Sequence, residues 1–235
     1  MISSVKEAVI LAGGLGTRLR SEVDGVPKCL APVNGKPFLH YVITYCLSQN
    51  LKRLIFSVGY KADQIMDYLK KEWPQHDFMC CFEDEPLGTG GAIRKSLSIT
   101  TDNLVSVLNG DTLYRADLQK MAAFHEIHQS ECTLALKPMQ NFNRYGVVEL
   151  DNDGRIVSFR EKMFYKEGYI NGGIYMLQKN KFLIENLPEK FSFEKDYLER
   201  LTASRKFYGI IDTGYFIDIG IPEDYHRAGQ ELSKD

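Results

Sequence analysis

The sequence predicts an α/β fold: a mixed, mainly parallel sheet flanked by helices and continued by a strand-rich second half. Three observations carry this expectation. Aliphatic runs that end in glycine or a polar turn alternate with amphipathic stretches through about residue 130. From about residue 131 that rhythm gives way to closely spaced strand patterns. No internal repeat, low-complexity run or flexible linker divides the 235 residues, so one domain is expected over 1–235, with halves of about 1–130 and 131–235.

"EAVILA" (7–12) is unbroken and aliphatic, as a strand buried on both faces should be. "PFLHYVITYCLSQN" (37–50) opens with proline and repeats its apolar residues on a helical period. "RLIFSVG" (53–59) is a second buried strand. "ADQIMDYLKKEW" (62–73) is an amphipathic helix with Ile65, Met66 and Leu69 on one side. A strand at 77–82, a helix at 89–97, a strand at 103–111 and a helix at 118–128 complete the alternation. Such alternation implies a Rossmann-like parallel sheet with helices on both faces. In the second half, strands are expected at 132–137, 145–150, 155–161, 169–177, 206–211 and 214–219. "DNDG" (151–154) has the chemistry of a hairpin turn. Helices at 193–203 and 222–232 flank the last two strands.

Composition narrows the function classes. The chain is 44% hydrophobic with a net charge of -2, and no basic run exceeds two residues, as in Lys70-Lys71 on a solvated helix face. That excludes the basic face of a nucleic-acid binder. No apolar stretch approaches the roughly 20 residues of a membrane helix, and no signal peptide opens the chain, so a cytoplasmic location is expected. The five cysteines (29, 46, 80, 81 and 132) form no CxxC pair and are expected as reduced thiols.

In an open α/β sheet ligands bind beyond the carboxyl ends of the strands. Four polar features fall there: "GGLGTR" (13–18), "EDEPLGTGG" (83–91), "NGD" (109–111) and "DIG" (218–220). The first offers bare backbone amides beside a fixed positive charge, a combination suited to a polyphosphate. It is not GxGxxG, because position 19 is leucine and strand two ends in Gly59-Tyr60 without the acidic ribose ligand. Nor is it a P-loop, since neither GKS nor GKT follows the strand. Arg18 at the far end of the loop can neutralise outer phosphates. Lys28 lies between Pro27 and Pro32 and is expected in an extended segment near the same sheet edge. Asp111 and Asp218 end two apolar strands and together could hold Mg²⁺, a hard ion that takes oxygen ligands and shares them with phosphates.

The ordered set "LAGGLGTRL", "PKCLAPVNGKPFL", "EPLGTGGAI", "NGDT", "FREK", "INGGIY" and "FIDIGIPEDY" resembles the sugar-1-phosphate nucleotidylyltransferases from about Ala8 to about Ala228. The resemblance implies their nucleotide-diphospho-sugar transferase (GT-A-like) fold, a nucleotide-binding first half and a sugar-binding second half. It implies that Leu11, Gly13, Gly14, Gly16, Thr17, Arg18 and Gly110 hold the nucleotide, with Leu87, Gly88 and Thr89 at the base. It further implies that Arg18, Lys28, Asp111 and Asp218 are catalytic, with Asp111 and Asp218 binding Mg²⁺. Tyr145, Gly146, Glu161, Lys162, Asn171 and Gly172 would take the sugar phosphate. "NFNRYGVVELDNDGRIVSFREK" and "FSFEKDYLERL" are similar to the subgroup that joins GTP to D-glycero-α-D-manno-heptose 1-phosphate for surface polysaccharides. A mannose-1-phosphate or other hexose-1-phosphate enzyme is the alternative, and the oligomeric state stays open. Cys29 stands where proline commonly follows the lysine, and Gly173 makes Asn-Gly-Gly of the usual Asn-Ala-Gly.

Two other classes weigh less. "NGDT" has one carboxylate, not the paired DxD of many metal-dependent glycosyltransferases. A non-catalytic sugar-nucleotide sensor would be expected to lose a cation or metal ligand, yet Arg18, Lys28, Asp111, Lys162 and Asp218 are all present. His125 and His128 of "HEIH" share a helical face and are expected on the surface. Trp73 is expected to pack, and His226 to cap or face solvent.

Overall fold

The structure, a computed structural model, describes residues 4–14, 19, 22–23, 25–76 and 78–232. Its first half contains β1 (Glu7–Leu11), β2 (Pro32–Val33), β3 (Lys36–Pro37), α1 (Phe38–Ser48), β4 (Arg53–Val58), α2 (Ala62–Glu72), β5 (Met79–Phe82), α3 (Gly88–Leu97), β6 (Leu104–Asn109), β7 (Thr112–Tyr114) and α4 (Leu118–Ile127). The second contains β8 (Cys132–Phe142), β9 (Val147–Leu150), β10 (Ile156–Arg160), β11 (Tyr165–Gln178), α5 (Lys179–Leu183), β12 (Phe207–Ile211), β13 (Phe216–Asp218) and α6 (Pro222–Glu231). A 3-10 turn covers Lys28–Leu30, and Phe193–Glu199 is a π-helix.

The main sheet runs β10-β9-β11-β6-β1-β4-β5, with β8 joined to β11 and β12. β1 is parallel to both β4 and β6, and β4 is parallel to β5. The chain therefore moves outward from β1 through β4 to β5 and then returns to the other side of β1 as β6. That reversal is a topological switch point, and it opens a crevice beyond the carboxyl ends of β1 and β6. β11 then turns the sheet mixed, pairing antiparallel with β6, β8 and β9.

The core explains why the central strands read as unbroken aliphatic runs. Ile10 and Phe56 pack on one face of the sheet, and Val9, Ile55, Val105 and Val107 on the other. Burying both faces removes the usual alternation with polar residues. The DNDG turn forms as its sequence suggests: Asp151 accepts the amides of Asp153 and Arg155 through Oδ1, and Gly154 has φ of 81°. All five cysteines are free thiols.

Three expectations need correction. Lys28 is not in an extended segment but in the 3-10 turn, closed by Leu30 N–H to Pro27 O and Ala31 N–H to Lys28 O. The helix expected over 193–203 is π-helical for its first seven residues. His125 is not a surface residue; it is 3% exposed and bonds Thr133 Oγ1 through Nδ1 at 2.9 Å. It extends the buried stripe Leu118, Met121, Ala122, so burial pushes its pKa down to about 4. Trp73 does pack, against His40, His76 and Phe78, while His226 meets Glu22 at 3.2 Å on the surface.

Candidate active site

Two adjoining clefts open at the switch point and share Leu11 and Gly14. The first, about 450 Å³, lies between the end of β1 and the start of α3, with Gly59, Glu83 and Thr89 among its walls. The second, about 460 Å³, is polar and holds Lys28, Asn109, Asp111, Lys162, Glu194 and Asp218.

Close backbone approach dictates the glycines here. A Cβ on Gly13 would lie 2.9 Å from Glu83 Oε1 and 3.2 Å from Gly59 N. A Cβ on Gly110 would lie 2.7 Å from the Leu11 carbonyl oxygen, an atom fixed in the sheet. Gly110 N–H donates to that same oxygen at 2.9 Å, which seats the β6–β7 turn on the end of β1. Glu83 braces the first cleft: it accepts from Ser57 Oγ and from Leu87 N–H, each at 3.1 Å.

Asp111 and Asp218, 107 positions apart, are brought together by the β7–β13 pair, in which Asp218 opposes Thr112. Ile219 N–H donates to the Asp111 carbonyl at 3.1 Å, so backbone bonds hold the two carboxylates side by side. Lys28 Nζ sits between them, 2.6 Å from Asp111 Oδ2 and 3.7 Å from Asp218 Oδ1. Burial and the neighbouring Asp111 push the Asp218 pKa up, while Lys28, the Gly220 amide and Arg144 pull it down. Two carboxylates that already share one cation have the charge and donor chemistry to hold a divalent ion. Among the described residues no group of three or more His, Cys, Asp or Glu forms a metal cage. A hard ion here would take its remaining ligands from phosphates and water, the usual habit of Mg²⁺.

The other expected residues distribute unevenly. Gly88 and Thr89 line the first cleft. Thr89 Oγ1 also donates to Glu194 Oε2 at 2.7 Å and accepts from Phe193 N–H at 2.9 Å, joining α3 to the π-helix. Leu87, Tyr145, Gly146, Glu161, Asn171 and Gly172 are not among the residues lining either cleft. Asn171 holds a bulge in β11, donating to Tyr175 Oη at 2.9 Å and accepting from Gly173 N–H at 3.0 Å. Gly172 is buried against the Tyr114 ring. The Tyr145 hydroxyl turns toward Asp218 Oδ2, 3.4 Å away. Gly16, Thr17 and Arg18 lie outside the described residues.

Sequence reasoning missed Glu194, Glu83, Asn109 and the pair Arg144–Asp224. Each lies inside a stretch quoted above, but no local pattern singles it out, and Arg144 and Asp224 meet only once the β8–β9 segment and α6 are folded together. Among the described residues no helix is long and apolar enough to cross a membrane.

A switch-point crevice with a glycine turn, a lysine and two converging carboxylates defines a nucleotide-handling α/β enzyme site. The nucleotidyl transferase family model matches residues 7–235, and the chain belongs to that family. It is 49% identical over 226 residues to the D-glycero-alpha-D-manno-heptose 1-phosphate guanylyltransferase of Aneurinibacillus thermoaerophilus, covering 96% of this chain and 98% of the relative. It is 46% identical over 221 residues to the protein of the same name from Campylobacter jejuni, covering 94% and 97%. Crystal structures of HddC from Yersinia pseudotuberculosis superpose with a TM-score of 0.87, and of 0.85 for the complex with GMP-PN, at 38% identity and 97% coverage of this chain. All of the HddC chain is covered in each case.

Proposed function

We propose that this protein joins GTP to D-glycero-α-D-manno-heptose 1-phosphate, releasing pyrophosphate and forming GDP-heptose for surface polysaccharide synthesis. The observation that carries the reading is the meeting of Lys28, Asp111 and Asp218 beside the glycine turn at the switch point. The relatives' names and the bound GMP-PN of the HddC complex support the choice of base and sugar.

The chemistry follows from the charges. A sugar 1-phosphate is already an ionised nucleophile, so no general base is needed. Its oxygen attacks the α-phosphorus of the nucleotide as the bond to the departing pyrophosphate breaks. The barrier lies in bringing one anion onto another in line. Residues up to about 130 would serve the nucleotide and those from about 131 the sugar. Gly13 and Gly14 let the triphosphate approach the end of β1. Lys28 would move from the carboxylates to phosphate oxygens, and Lys162 would pair with the sugar phosphate from the second half. Asp111 and Asp218 would hold Mg²⁺, which when bound polarises the phosphoryl group and offsets developing charge. Arg18 is assigned to the departing pyrophosphate on resemblance alone.

The test is a matrix of the four common NTPs against heptose, mannose, glucose and N-acetylglucosamine 1-phosphates, reading pyrophosphate. GTP with the heptose phosphate should lead. A lead for mannose 1-phosphate would replace the sugar and keep the reaction; no pyrophosphate from any pair would overturn the reaction itself.

A further inference from the structure

The sequence patterns assign Arg144 no role, yet its guanidinium reaches Asp218 of β13, Asp224 of α6 and the ring of its neighbour Tyr145. It leaves the segment between β8 and β9 and is two-thirds buried. Nη1 pairs with Asp224 Oδ2 in the first turn of α6, and Nη2 lies 3.9 Å from Asp218 Oδ2. The guanidinium also sits over the Tyr145 ring, 5.4 Å from its centroid, and the Tyr145 hydroxyl donates to the same Asp218 oxygen. Asp224 is fixed from its other side by Arg227 at 3.1 Å.

These contacts divide the two oxygens of Asp218 between opposite neighbours. Oδ1 accepts the Gly220 amide at 2.7 Å and faces Lys28 and the cleft. Oδ2 faces Tyr145 and Arg144. The strand carrying Asp218 has three residues, and Asp218 itself forms the last pair of its ladder. The ladder fixes the backbone and the Gly220 amide holds Oδ1, while the Arg144–Tyr145–Asp224 cluster holds Oδ2.

We propose that Arg144 is a positioning residue: anchored on Asp224 and stacked on Tyr145, it turns Asp218 so that Oδ1 alone is offered to the divalent ion. The inference rests on the reading of Asp111 and Asp218 as the ion's ligands. It does not depend on which sugar is used. Outer partners that orient a ligating carboxylate typically contribute about 10–100-fold to metal affinity or activity.

The experiment compares wild type, Arg144→Met, Arg144→Lys and Tyr145→Phe. Mn²⁺ alone is titrated into the metal-free protein and followed by EPR, with thermal midpoints as the control for folding. Steady-state kinetics with GTP and heptose 1-phosphate run in parallel. Arg144→Met should bind Mn²⁺ about 10–100-fold more weakly and lose kcat while both KM values hold within about twofold. Tyr145→Phe should show a smaller loss of the same kind, and Arg144→Lys should recover part of the affinity. Unchanged Mn²⁺ affinity in folded Arg144→Met overturns the proposal. So does a raised KM for the sugar phosphate with Mn²⁺ affinity intact, which would make Arg144 a direct substrate contact. If Arg144→Met does not fold, unchanged Mn²⁺ affinity in both Arg144→Lys and Tyr145→Phe overturns it equally. A wild type that binds Mn²⁺ with the expected differences among variants but releases no pyrophosphate overturns the proposed reaction and leaves Arg144's role standing.

Discussion

Lys28 occupies the place between two carboxylates where a divalent ion would bind, so removing its charge should help the ion before it harms the reaction. The perturbation is Lys28→Met, which keeps an unbranched apolar chain and deletes the ammonium. In the protein as it stands, an ion entering between Asp111 and Asp218 must displace a cation held at 2.6 and 3.7 Å. A unit charge pair near 4 Å in a medium of effective dielectric about 20 interacts by about 4 kcal/mol. The Asp111 side chain is 36% exposed, and screening there reduces the effective figure to about 2 kcal/mol. At 1.4 kcal/mol per decade, Mn²⁺ affinity of the nucleotide-free variant should rise on the order of tenfold or more. Turnover should fall on the order of 100-fold, the usual cost of removing one group that stabilises transferring charge. Mn²⁺ titration by EPR and pyrophosphate release, run on one preparation, read both quantities. Equal or weaker Mn²⁺ binding by Lys28→Met would refute the competition argument. Opposite signs at two residues make the test sharp, because Arg144→Met is expected to weaken the same binding.

Gly110→Ala sets a Cβ 2.7 Å from a carbonyl oxygen that cannot yield, so the variant should lose about 1–3 kcal/mol of stability. Urea denaturation measures that loss, and turnover should fall with it because Asp111 is the next residue. Glu83→Ala removes the brace between Ser57 and the Leu87 amide, and should raise the KM for GTP with little change in the KM for sugar phosphate. His125 has its pKa pushed down to about 4 from an ordinary 6.5 by burial. Between those values the unfolded chain binds the extra proton, so stability is full above 6.5 and falls as the pH drops. From pH 7 to 4.5 this group alone should cost about 2 kcal/mol, an increment that should be missing from the pH profile of His125→Gln.

The elements legible in the sequence are those whose pattern has one physical reading. β1, β4 and β6 are buried on both faces, and their aliphatic runs place them to within three residues at either end. The elements missed are those in which two signals compete. Asn34 and Gly35 both have positive φ, 49° and 77°, and close a β2–β3 hairpin, but Pro32 and Pro37 obscure strands of two residues each. The π-helix at Phe193–Glu199 carries apolar residues that a sequence reads as an ordinary helix, although its Glu194 reaches the polar cleft. His125 was legible, because it continues Leu118, Met121 and Ala122 at helical spacing. In the site, Asp111 and Asp218 stand at the ends of apolar runs and could be found. Arg144 could not, since its partners lie 74 and 80 positions away and only the folded sheet brings them near.

The gap between what was found and what was missed has a structural cause in β11. On one edge its last five residues pair with β6 and Ile170 pairs with Val147 of β9, while β8 runs along the other edge on both sides of a bulge. Around that bulge, between Asn171 and Tyr175, the first edge passes from β9 to β6. Gly173, at φ of 74°, lies there against the Asn109 side chain; a Cβ would be 2.6 Å from its Nδ2. That is the physical sense of Asn-Gly-Gly in this chain: the second glycine lets the joint between the halves close on the residue two before Asp111. Asp111 is in turn tied to β13 by the Ile219 amide and the Thr112–Asp218 pair. Backbone hydrogen bonds therefore bring the two carboxylates together, and Lys28 offsets the charge they carry. In the proposed reaction an ion and a triphosphate arriving together would displace Lys28, a flexible side chain, and leave these backbone bonds in place.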